Sequence, residues 1–163
     1  MLTKQEFLAI YKWELPALQK VVAAIPEAGQ GYRPDPKSRT AMEISVTLIV
    51  EVHMISHFLE GKSIGMDGGD FYSKVTPATI AEAVLLLATA SQELIAKLEQ
   101  MNEEQFKIGV TFFHRETTVD DAIFNMLLDL IHHRGQLSSY IRAAGGRVPS
   151  IYGPSGDEEF AAS

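Results

Sequence analysis

The stretch Thr118–Pro149, TVDDAIFNMLLDLIHHRGQLSSYIRAAGGRVP, decides the fold. Ile123, Met126, Leu127, Leu130, His133, Leu137, Tyr140 and Ile141 recur three or four apart, which is the period of one helix face. Thr118, with Asp121 three residues later, reads as the cap that opens the helix. Gly145-Gly146 followed by Pro149 reads as its end. A helix with one apolar stripe must bury it against something, so the rest of the chain has to supply partners.

Three further segments do so. Thr3 and Glu6 fit a capping box, and Phe7, Ile10, Tyr11, Leu15, Leu18 and Val21 follow at helical spacing, with Pro16 expected to kink or restart the helix. Thr40 and Glu43 form a second box ahead of Ile44, Leu48, Val52, Ile55 and Leu59, with Gly61 and Gly65 as end signals. Thr76-Pro77 predicts a third start, with an inner face of Ala81, Val84, Leu85, Ala88, Leu94 and Leu98. Residues 62–75 read as a loop. Residues 102–117 read as an ordered connection with a short helical turn, since the β-rich run Lys107–Phe113 has no evident partner strand. Four helices without strand–helix alternation predict an all-α four-helix bundle. Residues 1–163 are expected to form one domain with an irregular tail from about residue 147.

Composition limits the chemistry. The 163-residue chain has no cysteine, which excludes disulfides, thiolate metal sites and a cysteine nucleophile. Any metal ligand is therefore His, Asp or Glu. The 14 Lys and Arg against 21 Asp and Glu give a net charge of −7 without a basic run, which argues against nucleic acid as a partner. The N-terminus lacks a basic region followed by an apolar core, and the longest apolar run, Ala81–Ala90, is too short to span a bilayer. The expected location is the cytoplasm, with no membrane partner.

Four of the five histidines form two pairs, His53/His57 and His132/His133. His53 and His57 are four apart, one turn along one helix face, and Asp129 and His133 share that spacing. If the two helices are neighbours, three such donors can converge and leave coordination positions open, the pattern of a catalytic centre. The same spacing also suits boundary residues solvated on one side, and Asp129 could satisfy His133 without a metal. A di-iron bundle would need two Glu-x-x-His motifs, and the nearest match, Asp129-x-x-His132, occurs once. His132 faces about 100° away from His133 and is expected outside any site, as is His114. Gly135, in mid-helix, marks either a close approach or a tolerated glycine, and Arg134 is expected to pair with a carboxylate across a helix interface.

The run Leu130-Ile-His-His-Arg-Gly-Gln-Leu137, continued by Ser-Ser-Tyr140-Ile-Arg142 and Gly145-Gly-Arg-Val-Pro149, resembles the DinB/YfiT-like superfamily. The likeness is sharp over about residues 118–158 and rests elsewhere on helix layout. It implies an up-down-down-up bundle, a homodimer and a three-ligand divalent metal site, with nickel or zinc foremost and iron or manganese also compatible. By that pattern His53 and His133 are ligands. Asp129 stands where a His is common, and His57 is the reserve ligand. The resemblance further implies a metal-dependent enzyme, with S-transfer from a low-molecular-weight thiol to a small-molecule substrate among the family's activities. The absence of cysteine suits a sulfur that arrives with a cosubstrate. The alternative is a non-catalytic helical binding or stress-response protein with a degenerate site. In the tail, Tyr152, Glu158 and Phe160 are candidates to cover a pocket or to pack on a second subunit.

Overall fold

The computed structural model describes residues 2–158, so Phe160 lies outside the described residues. Four long helices carry the fold: α1 (Lys4–Ala23), α2 (Ala41–Leu59), α3 (Ile80–Gln100) and α4 (Val119–Tyr140). A two-stranded antiparallel hairpin, β1 (Gly109–Phe112) and β2 (Arg115–Thr118), leads into α4.

Both capping boxes form as the sequence predicts. Thr3 and Thr40 each accept the backbone N–H of a Glu three residues on, while Glu6 and Glu43 reach back to the cap amides. α1 continues as one helix through Pro16. α3 starts later than Thr76-Pro77 predicts. Its cap is Thr79, whose hydroxyl accepts from Glu82 N (3.1 Å), and the Glu27 carboxylate takes the next two amides, Ile80 N and Ala81 N (3.0 and 3.1 Å). An acidic side chain distant in sequence therefore completes the cap.

The inner face of α3 is also rotated from the expected one. Ile80, Ala83, Leu87, Leu94 and Leu98 are buried, whereas Leu85 is 66% exposed. The Ala81–Ala90 run is apolar almost all round, so its period does not specify a phase. At α4, Thr118 occupies the cap position without a side-chain cap bond. Its hydroxyl donates to Asp120 Oδ1 (2.5 Å), and Asp121 is held by Thr117 and Arg115.

The strand at Gly109–Phe112 does have a partner. Arg115–Thr118 pairs with it across the two-residue turn Phe113-His114, and Ile64 adds a parallel bridge to Phe112. Arg-Glu-Thr-Thr carries no apolar alternation, which hides the strand from a pattern reading. Phe113 adopts a positive φ of 57°, as this tight turn requires.

Helix ends fix the direction of each element. Lys4 Nζ donates to the Met101 carbonyl (2.6 Å) and Lys12 pairs with Glu99, so α1 begins where α3 ends. Lys97 reaches the Ser56 carbonyl (3.4 Å) and Glu60, so α2 and α3 end together. Gly146 lies against the Ala24 carbonyl, so α1 and α4 also end together. α1 and α2 each pack on both α3 and α4. The result is an up-down-down-up bundle whose parallel pair α2–α3 is joined by the crossover 60–79.

All four helices contribute to one apolar core. α2 is the most buried of them. With a mean hydropathy of 1.4 it is long and apolar enough, by composition, to span a membrane, contrary to the expectation that no segment reaches that length. Its polar residues interrupt the run without lowering the mean far. In the bundle 67% of that stretch is buried, and Glu51 sits within it.

Candidate metal centre

α2 and α4 pack side by side, and where they meet the core opens to a cavity of about 580 Å³. Asp129 and His133 project into it from α4, one turn apart as their spacing requires. The third member of the group is Glu51 of α2. Ligand-capable atoms of Glu51, Asp129 and His133 all lie within 4.8 Å of one another. His133 Nδ1 is 2.6 Å from Glu51 Oε1 and 3.7 Å from Asp129 Oδ1.

Burial grades across the three. The Glu51 side chain is 3% exposed, His133 15% and Asp129 50%, so the group has a closed floor and an open mouth. Burial pushes the Glu51 carboxyl up to about 7. The hydrogen bond and charge of His133 oppose this, and the nearby Asp129 charge adds to it. The Glu51 bond raises His133 above its ordinary value, against the opposing effect of burial.

Glu51 Oε2 is buried and has no hydrogen-bond partner among the described residues. An unsatisfied buried polar atom costs about 1–3 kcal/mol, more when charged. A divalent cation between two carboxylates and an imidazole would satisfy it and offset the paired negative charge. The residues present therefore fit a divalent metal.

His53 is not part of this group. It lies two positions after Glu51, about 200° round the helix, so the two side chains leave α2 on opposite sides. His53 instead lines another cavity, of about 480 Å³, with His57, Glu60, Glu93 and Lys97. Burial lowers its pKa, with the Glu93 charge acting the other way. His57 donates its Nε2–H to the Ser63 carbonyl (3.2 Å) and sets its ring edge-on to Phe71, so the reserve ligand also points away from Asp129 and His133. His132 is exposed, with its ring 5.3 Å from that of His133, and His114 is exposed in the hairpin turn.

Glu51 is the residue a histidine-led reading misses. The available signal was a lone acidic residue between Leu48 and Ile55 on the apolar stripe of α2, four residues after Thr47. A carboxylate in that setting must be paired, protonated or ligating.

Arg134, the next residue after His133, is buried against α1, where it pairs with the buried Glu14. Tyr152 of the tail bonds to both, lays its ring under the Arg134 guanidinium (4.7 Å) and stacks on Trp13 (4.9 Å). The tail is thereby strapped across α1 and α4. Nothing lies within 4 Å of the place a Cβ would take at Gly135, so no close approach within this chain explains that glycine.

A sequence model of the DinB family matches residues 1–160. The chain belongs to the DinB family. Two solved structures share the fold of this DinB protein. A DinB-like protein of Bacillus cereus ATCC 10987 aligns with a TM-score of 0.79 at 18% identity, over 92% of this chain and 98% of its own. A DinB-like protein of Bacillus subtilis aligns with a TM-score of 0.70 at 20% identity, over 94% and 98%. No curated protein matches the chain.

Proposed function

We propose that this DinB protein is a divalent-metal-dependent enzyme whose metal is held by Glu51, Asp129 and His133, and that it activates a low-molecular-weight thiol for S-transfer to a small-molecule electrophile. The observation that carries the metal assignment is the buried, partnerless Glu51 Oε2 beside two further donors at the floor of an open cavity. Three protein donors with an open side form the arrangement that leaves room for a substrate atom. Two carboxylates and one imidazole make a harder donor set than the His-rich one the family resemblance implies, and this favours zinc, iron(II) or manganese over nickel.

A bound divalent cation supplies Lewis acidity, which lowers the pKa of a coordinated thiol into the neutral range. The chain's own residues prepare that event. Glu51 and His133 hold each other in place through their 2.6 Å contact at Nδ1. Asp129, half in solvent, sets its carboxylate at the mouth of the cavity. Met54, Met126 and Phe113 give the cavity an apolar flank that strengthens electrostatic interactions inside it. The chain has no cysteine, so the reacting sulfur is the cosubstrate's.

The test is the ultraviolet thiolate absorbance of 2-mercaptoethanol mixed with zinc-loaded protein at neutral pH. The wild type should generate thiolate absorbance that His133→Ala does not. Zinc binding without thiolate formation would rule out the thiol reading and leave another metal-assisted reaction.

One observation favours a second reading, a non-catalytic binding or stress-response protein. The 2.6 Å bond between His133 and Glu51 already satisfies one donor pair without an ion. A thermal shift on adding micromolar zinc separates the two, since only a metal centre predicts a rise. We further propose a cytoplasmic homodimer. Phe124 and Leu128 form an exposed apolar strip on α4, four residues apart. Sedimentation should give twice 18.0 kDa.

A further inference from the structure

The Glu51–Asp129–His133 group shares its cavity with a cationic wall. Arg39, Lys37, Thr47 and Tyr72 line both that cavity and an adjoining one of about 590 Å³ that extends to Arg33 and Glu43, so the two form one groove. Three of the chain's 14 basic residues stand here within seven positions, on a molecule of net charge −7. Among the described residues, Lys12, Lys62, Lys97, Lys107, Arg115, Arg134 and Arg142 have carboxylate partners, whereas Arg33, Lys37 and Arg39 have none, as is also true of the scattered Lys4, Lys20, Lys74 and Arg147. The carboxylate of Glu43, which feels the charges of Arg33 and Arg39, caps α2 by accepting from Thr40 N at 2.6 Å.

Arg39 is nevertheless held in place. Its Nη1 donates to Thr47 Oγ1 (2.9 Å), and its guanidinium lies 5.9 Å from the centre of the Tyr72 ring. Thr47 in turn donates to the Glu43 carbonyl (2.9 Å), which fixes its oxygen as the acceptor. A guanidinium has five N–H donors, and this anchoring spends one of them. Thr47 and Glu51 are four apart on the same face of α2, about 6 Å along the axis. The free donors of Arg39 therefore stand about one helical turn from the three-residue group, across open space.

We propose that Arg39, flanked by Lys37, is an anion subsite of this centre, so that the molecule it takes is a small acid whose carboxylate or phosphate docks on Arg39 while an atom a few bonds away reaches Glu51, Asp129 and His133. A planar fork of donors suits an oxyanion better than a neutral group does. The cation also counters the two carboxylates, which would otherwise repel an acidic ligand. This inference rests on reading the three-residue group as a metal centre, and the test separates the two.

Calorimetry is run with zinc alone, and then with 3-mercaptopropionate and 3-mercaptopropanol on zinc-loaded protein. The two thiols have the same chain length and differ in charge. Wild type should prefer the acid by about tenfold, and Arg39→Met should lose that preference while binding zinc as before. Arg39 is exposed, so the variant should fold. Equal binding of acid and alcohol by wild type, or a preference that survives in Arg39→Met, overturns the subsite. If zinc does not bind at all, the metal reading fails by itself. The subsite is then decided on metal-free protein with propionate and methyl phosphate. Binding lost in Arg39→Met upholds it, with the tighter probe naming the anion, and no binding of either overturns it.

Discussion

In metal-free protein, Glu51→Gln should raise stability at pH 8 and do little at pH 5. The carboxylate is almost fully buried, shares one oxygen with His133 and leaves the other without a partner. Burial lifts its pKa from 4.5 to about 7. In the folded state the group holds its proton up to about pH 7, whereas in the unfolded chain it loses it near 4.5. Its stability contribution is therefore full below about 4.5 and is lost as pH rises through 7. The span between those values corresponds to about 3 kcal/mol. His133, also raised, titrates with Glu51 as a pair and acts in the same direction. Glutamine keeps an acceptor for His133 and removes the charge, while leaving one polar atom unsatisfied as before. The gain should therefore be about 3 kcal/mol at pH 8, or about 6–12 °C in Tm for a chain of this size, and less than about 1 kcal/mol at pH 5. Thermal unfolding of chelator-treated wild type and variant at both pH values measures it. A variant no more stable than wild type at pH 8, or a gain equal at the two pH values, would refute the reasoning. Zinc should reverse the order by stabilising wild type alone.

Other perturbations test the surroundings. Arg134→Met leaves Glu14 buried without its partner and should cost about 3–5 kcal/mol in denaturant unfolding, most of it recovered by adding Glu14→Leu. Gly135→Ala, on an exposed helix position with empty space where the Cβ would lie, should stabilise by about 1 kcal/mol, read as a higher Tm. Trp13 is the chain's single tryptophan and stacks on Tyr152, so Tyr152→Ala should shift its fluorescence to the red as the tail lifts away.

The bundle was legible wherever local signals agreed. Thr3/Glu6 and Thr40/Glu43 mark two helix starts because each cap is complete within four residues. The signals failed where a distant group finishes the job. Glu27 completes the cap of α3 from across the fold, and the polar Arg115–Thr118 strand is recognisable only once Gly109–Phe112 lies beside it. On α3 an apolar run with no polar face left the phase undetermined, and Leu85 proved exposed.

The site was half legible for a similar reason. Asp129 and His133 belong to one helix, so their spacing is a local fact. Which residue of α2 meets them depends on how α2 is rotated about its axis. Histidine spacing points to His53, while the rotation that buries Ile44, Leu48 and Ile55 turns Glu51 inward. Glu14 is hidden from a local reading for the same reason. Its burial makes sense only opposite Arg134, 120 residues later.

The most direct test of the metal centre is the zinc stoichiometry of untagged protein and three variants after dialysis, by elemental analysis. One zinc per chain should be found in wild type and in His53→Ala, and none in Glu51→Ala or His133→Ala. Zinc kept by Glu51→Ala and lost from His53→Ala, or absent from wild type, would contradict the account.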